Sequence, residues 1–170
     1  MQAFPTLKIA LAGAFVCLLA GCQLATEGGS GFQKEYSVAR TALEEGKFDR
    51  ASRSYARLLE QSGPLRPRIQ LEYAHSELRA GRFEKAAELA GELTRSQKGQ
   101  DRAAALAVLG TAQHELGLAQ LQNGNASTGK RYLQTAEVAL NDVLKSHPQL
   151  DPLGSLAGRR ASIKARLKRL

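Results

Sequence analysis

Few residues in this 170-residue chain are of types that do covalent or acid–base chemistry: Cys17 and Cys22, His75, His114 and His147, and one glycine-bounded lysine. That lysine closes Gly124-Asn125-Ala126-Ser127-Thr128-Gly129-Lys130, which fits the spacing GxxxxGK. A phosphate-cradling loop needs a strand before it and a Ser or Thr after the lysine to hold Mg²⁺. Here Arg131 follows, and the preceding segment reads as helix, so the match is the start of a helix; Asn125-Ala126-Ser127 is a chance glycosylation triplet in the same place. The histidines lie in three separate segments, and His114-Glu115 lacks the second histidine of an HExxH zinc site. No paired carboxylates mark a pocket. We expect no catalytic constellation, no metal site, no small-molecule substrate and no enzyme.

Cys22 is different because of what precedes it. Lys8 gives a positive start, Ile9 to Gly21 forms an uncharged apolar stretch of thirteen residues, and Leu19-Ala20-Gly21-Cys22 ends it. Thirteen residues are too few to span a bilayer, which takes about 20, but suit the core of a signal peptide. The four-residue ending resembles a bacterial lipobox. That resemblance implies a signal peptide over 1–21, cleavage before Cys22, and acylation of the Cys22 sulfur and amine, palmitate-type chains then holding the chain to a membrane. Gln23 stands where an Asp would resemble an inner-membrane retention signal, so the resemblance implies the outer membrane, facing the periplasm. Cys17 then leaves with the signal, and the covalent lipid at Cys22 is the only cofactor-like group expected. Residues 22–31, small and Gly-rich after the Cys, read as a flexible tether.

The formal charge of +8 is unevenly placed. Residues 159–170 hold Arg159, Arg160, Lys164, Arg166, Lys168 and Arg169 with no acid, whereas 22–158 carry 17 bases against 16 acids. The body is nearly neutral, which argues against a nucleic-acid partner. With 43% apolar residues but 5% aromatics, the chain is too apolar to be disordered, and it suits helices packed through small residues.

From Phe32 onward the chain repeats. Ala-Gly-Arg-Phe-Glu-Lys-Ala-Ala at 80–87 echoes Glu-Gly-Lys-Phe-Asp-Arg-Ala-Ser at 45–52; Gly46, Phe48 and Ala51 recur 35 residues on as Gly81, Phe83 and Ala86. Ala39 recurs as Ala74 and then Gly110, and Gly81 is followed by Gly117. A period near 35 built from two helices resembles the tetratricopeptide family over 32–148. In this reading a small residue lets paired helices approach, glycine ends the first helix in a left-handed cap and Phe plugs the turn. Helices are expected at 32–45, 48–61, 66–80, 83–95, 101–122 and 126–146, making an all-α solenoid of about three hairpins. Glu35 and Gln70 stand where the family carries a bulky aromatic, and Pro after a second helix occurs once, as Pro148. The match to Ala86 in the third unit is Ala136, 14 residues late, or two heptads. The third hairpin should therefore be elongated and protrude by about 10 Å at Asn123-Gly124-Asn125.

The resemblance also implies a concave groove along the first helices that takes an extended segment or helix of a protein partner. Matching positions are Tyr36, Arg40 and Leu43; Arg68, Leu71, His75, Leu78 and Arg79; and Ala107, Thr111, His114 and Glu115. Their mix suits carboxylates and apolar anchors. In residues 149–170, Leu156, Ile163, Leu167 and Leu170 fall on one helical face among the cations, as a basic helix capping the array would require; contact of its cations with anionic lipid is the alternative. Lipobox, tether and small helical array together resemble tetratricopeptide lipoproteins of pilus biogenesis, including those of tight-adherence (Flp) loci. They imply an adaptor for a pilus, secretion or barrel-assembly complex. A regulator of a peptidoglycan synthase or hydrolase is the alternative.

Overall fold

The computed structural model describes residues 27–170, with side-chain surroundings from Gly31 onward. Seven helices follow one another: α1 (Glu27–Glu44), α2 (Phe48–Glu60), α3 (Arg66–Arg79), α4 (Phe83–Ser96), α5 (Gly99–Gln122), α6 (Ala126–Ser146) and α7 (Ser155–Leu167). The described residues contain no strand. Consecutive helices pack on each other from α1 to α7, so the molecule is a one-dimensional stack with α1 and α7 at opposite ends. Small apolar clusters run through it, joined by shared residues: Tyr73 links the first to the second, Leu109 the second to the third, and Leu156 the third to the last. Alanine supplies half of the buried apolar positions, which is how a chain poor in aromatics fills its core.

One turn is built three times. Gly46, Gly81 and Gly124 have φ of 75°, 77° and 79°, a region that costs glycine nothing. The N–H of the next residue reaches back five positions in each case, Lys47 to Ala42, Arg82 to Glu77 and Asn125 to Gln120, at 2.8–3.0 Å. These bonds close a Schellman cap and aim the chain back along the helix it has left. The third turn falls at the expected Asn123-Gly124-Asn125 tip, and Gly117, which recurs 36 residues after Gly81, is not a turn residue. Gly117 lies inside α5, and the third turn glycine is Gly124, 43 residues after Gly81.

That placement locates the extra length. Counted back from the turn, Gly117 precedes Gly124 by seven residues, as Ala39 precedes Gly46 and Ala74 precedes Gly81. Yet Val108 and Leu109 pack against the Ala74 cluster, so Gly110 is the residue level with Ala74 in the stack. The third turn thus lies one heptad, about 10 Å, beyond the second. α5 and α6 have 24 and 21 residues against 14 in each of α3 and α4.

Glycine also sets the distance between α5 and α6. A Cβ on Gly117 would sit 2.8 Å from Leu133 Cδ2, and one on Gly129 would sit 2.7 Å from Leu121 Cδ2 and 3.0 Å from the Gly117 carbonyl oxygen. The two backbones touch at this point, and no side chain fits between them.

The missing family aromatics are replaced by polar ties within each hairpin. Glu35 of α1 pairs with Arg57 of α2 at 2.5 Å. One repeat later, at the equivalent positions, the buried Gln70 amide of α3 donates to Leu89 O (3.0 Å) and Glu92 Oε2 (2.7 Å) of α4. Arg102 and Asp142 join α5 to α6 at 2.9 Å. Between the first two hairpins, Arg82 forks onto the buried Glu77 carboxylate and reaches Asp49 (2.6 Å) and Ser52 (2.8 Å) of α2. A buried carboxylate needs such a partner, and this one holds the α3–α4 turn against α2.

The Tyr55 hydroxyl lacks that provision. Its ring is fully buried, edge-on to Tyr36 at 6.4 Å, and its oxygen has no hydrogen-bond partner. Burial first, and then the Glu72 carboxylate, push the phenol well above its ordinary range. Removing an unsatisfied buried hydroxyl is neutral or favourable. Tyr55→Phe is expected to raise stability by about 0–1 kcal/mol in urea unfolding, and a loss above about 1 kcal/mol would show that the hydroxyl is bonded in solution.

Two boundaries differ from expectation. α1 begins at Glu27, inside the segment read as a tether over 22–31, because a helix nucleated by packed turns downstream extends at little cost; residues 22–26 lie outside the described ones. The capping helix expected over 149–170 is divided. Pro148–Leu150 form a 3₁₀ turn, Pro152 and the left-handed Gly154 (φ 71°) interrupt the chain, and α7 starts at Ser155. Asp151 caps it, its carboxylate accepting the N–H groups of Leu156 and Ala157 at 2.9 Å.

Candidate protein-binding groove

The first helices of the three hairpins, α1, α3 and α5, share one face. On it Tyr36 and Arg40 converge on Glu72, and Arg68 joins them through Tyr36. Arg40 donates to Glu72 Oε1 at 3.0 Å and to Glu44 at 3.1 Å. The Tyr36 hydroxyl donates to Glu72 at 3.4 Å and accepts from Arg68 at 3.3 Å, and the Arg68 guanidinium lies 5.8 Å from the Tyr36 ring centre. Arg40 is thus neutralised where it stands, and Arg68 is the exposed cation of this cluster.

Beside the cluster is a largely apolar recess of about 280 Å³, lined by Leu71, Glu72 and His75 from α3, Ala104, Ala107 and Val108 from α5, and Leu150. Burial, and then the neighbouring Arg79, hold the His75 imidazole below its usual pKa, so it is a neutral wall of this recess at pH 7. Leu43 is half-buried on the core of the first hairpin. Leu78 is half-buried, and Arg79 lies at the turn end with its guanidinium 5.0 Å from the centre of the Phe48 ring. Thr111 turns its hydroxyl back to Ala107 O at 2.8 Å.

His114 and Glu115 are not on the open face. His114 is 7% exposed, and Arg159 of α7 reaches over α5 to donate to His114 Nδ1 (2.6 Å) and Glu115. The groove expected to reach His114 and Glu115 therefore ends near Thr111, because α7 covers those two residues. A guanidinium only donates, so His114 must be neutral with Nδ1 bare. Burial, followed by Arg159, keeps its pKa low, with Glu115 opposing.

Both histidines have a consequence for stability. Their folded pKa values lie below 6.5, the ordinary value they regain on unfolding. The unfolded chain then binds more protons as pH falls through 6.5, and folding stability drops toward acid. A His75→Gln, His114→Gln variant should show a visibly flatter stability profile between pH 7 and 5 than the parent. Parallel profiles from urea titrations at each pH would refute this.

The family assignment follows from the repeat geometry and the comparison together. The chain matches the tetratricopeptide repeat family over residues 36–101 and again over 71–127, together just over half its length. It belongs to the tetratricopeptide repeat family. A comparison with curated proteins finds no match. Tetratricopeptide arrays are protein-interaction scaffolds, and the fold is typically non-catalytic. Among the described residues no three His, Cys, Asp or Glu side chains come together as a metal site, and no helix is long and apolar enough to cross a membrane. The GxxxxGK stretch is the third turn plus the first turn of α6, with Gly129 pressed on Gly117 instead of open to a phosphate. Cys22 and its flanking Leu19, Ala20 and Gly21 lie outside the described residues.

Four residues lining the recess are not foreseen from the sequence: Glu72, Ala104, Val108 and Leu150. The first three carry a signal. Glu72 adjoins Leu71, and Ala104, Ala107 and Val108 share one helical face at spacings of three and four. Leu150 carries none, since it follows Pro148 in a segment without periodicity.

Proposed function

We propose that this tetratricopeptide protein is a lipid-anchored periplasmic adaptor at the outer membrane, binding one protein of an envelope-assembly system such as a pilus, secretion or barrel-assembly complex. The observation that carries the binding half is the recess between Leu71, His75, Ala107 and Leu150, set beside the Tyr36–Arg40–Glu72–Arg68 cluster. It fits an apolar anchor on an extended segment or helix whose carboxylate meets Arg68. The anchoring half rests on Leu19-Ala20-Gly21-Cys22 after its short apolar stretch.

A photo-crosslinking residue at Ala107, compared with one at the exposed Thr135, tests the groove in cells. One envelope-assembly protein should be captured from position 107 and lost in an Arg68→Glu variant. Equal capture from both positions would remove the groove, and capture of a peptidoglycan synthase or hydrolase would move the adaptor to cell-wall regulation. Cys22→Ser should abolish lipid labelling; retained labelling would remove the anchor.

A further inference from the structure

The six cations of the carboxy-terminal segment fall into two sets. Arg159 and Arg160 turn inward, onto Glu115 of α5 and Glu137 of α6, and fix the rotation of α7 together with the fully buried Ile163. Lys164, Arg166, Lys168 and Arg169 are exposed and make no ion pair among the described residues. No acid occurs between Pro152 and Leu170 to offset them.

With α7 fixed in that rotation, the side opposite Ile163 consists of Gly158, Ala161 and Ala165, all exposed. Such a strip is smooth, and a helix carrying it can come close to a flat surface. Lys164 and Lys168, four residues apart, flank the strip on one side and Arg169 flanks it on the other, whereas Arg166, three residues after Ile163, lies toward α5. Long cationic side chains placed to either side of a smooth face can reach down past it. An apolar residue, Leu153, stands exposed just before the helix, at 93%. Cations alone would suit any polyanion. Unpaired cations flanking a flat face, with an exposed leucine before its start, match a layer of anionic headgroups over acyl chains. No aromatic lies on α7 to stack on bases, as a nucleic acid would require.

We propose that the outer face of α7 docks on an anionic lipid surface. The proposal does not depend on acylation of Cys22, because its charge and geometry reside wholly in the last helix. Its contribution is electrostatic, about fivefold in surface partitioning per base at low salt, and is weakened by added salt.

The test is a benzophenone amino acid at Ala165 in the full chain, mixed with vesicles of phosphatidylcholine alone or of phosphatidylcholine with phosphatidylglycerol. Adduct is scored per protein added, with flotation recorded beside it, and the charge variant below separates α7 from any other route of membrane attachment. Lipid adduct should be at least about tenfold higher with phosphatidylglycerol. It should fall to the neutral-vesicle level in high salt and in a Lys164→Gln, Arg166→Gln, Lys168→Gln, Arg169→Gln variant. That variant removes no ion pair seen in the fold, and its thermal unfolding should match the parent's. Equal adduct on the two vesicles overturns the proposal, as does anionic-vesicle adduct that survives the four substitutions or the salt. Adduct confined to an acidic protein added as competitor also overturns it.

Discussion

Gly117→Val is expected to cost about 3 kcal/mol or more of folding stability, although valine is a slightly better residue than glycine within a helix. The gain from propensity is a few tenths of a kcal/mol, and even alanine would add only about 1 kcal/mol. Against this stands a contact. A Cβ at 117 would lie 2.8 Å from Leu133 Cδ2, 2.9 Å from its Cγ and 3.2 Å from the Gly129 carbonyl oxygen. Leu133 is fully buried beneath Ile163 and cannot swing away, and Gly129 O is backbone. Relief requires moving α5 and α6 apart over the elongated part of the hairpin, which also loosens the surface on which α7 sits. Gly117→Ala should be intermediate, with a net loss of about 1–2 kcal/mol. Gly158→Ala is the opposing case. A Cβ added to this α7 glycine would have nothing within 4 Å, so alanine there should stabilise by about 0.5–1 kcal/mol. Urea unfolding followed by circular dichroism separates them; if both alanine variants raised stability, helix propensity would govern and the close approach would be irrelevant.

The same region shows where sequence reading stops. Helix order, the two-helix period and the turns at Gly46 and Gly81 are legible because each rests on local chemistry: a left-handed glycine, a small residue seven positions before it and a phenylalanine after it. The helix ends beside these two turns fall within a residue of their expected places. The third hairpin is harder because it answers to two registers at once. Stacking against α3 uses the Gly110 level, whereas the crossing of α5 with α6 next to the turn uses Gly117 and Gly129. A single recurrence distance cannot report both: 36 residues after Gly81 it falls on Gly117, inside the helix expected over 101–122. Counting from each turn instead finds Gly129 five residues after Gly124, where Ala51 follows Gly46 and Ala86 follows Gly81.

The groove is legible to the extent that its residues belong to helical faces. Tyr36, Arg68, Leu71, His75 and Ala107 stand where the face predicts. His114 shares that face and is nevertheless covered, because what covers it comes from Arg159, 45 residues away. Sequence periodicity describes one helix at a time and holds no information on which distant side chain reaches over it. The pairing of Arg40 with Glu72 is hidden for the same reason, and it matters chemically, since it removes one of the cations that the groove was expected to offer a partner.

Ile163→Ala is expected to lower stability by about 3 kcal/mol, and a chain ending at Gly154 to lose cooperative unfolding of its third hairpin. Ile163 is the only fully buried side chain of α7, and its neighbours Leu133, Ala136 and Leu140 are fully buried as well. Deleting three carbons there leaves a void against α6, whose distance from α5 is fixed by Gly110 and Gly117, so those two helices cannot close on it. The polar contacts of α7 would not compensate. Arg159–Glu115 and Arg160–Glu137 are partly exposed pairs, worth about 1 kcal/mol or less each. Ending the chain at Gly154 goes further, because the α6 face bearing Leu133 and Leu140 would meet water along a solenoid end that needs a cover. Loss should therefore be local at first. Amide exchange should accelerate in α5 and α6, on which α7 packs, while α1 to α4 keep most of their protection. Uniform acceleration across all six helices would mean that the array unfolds as one unit and that α7 stabilises it globally. Unchanged exchange throughout would mean that α7 is an appendage, and the burial of Ile163 would then contribute nothing to the fold.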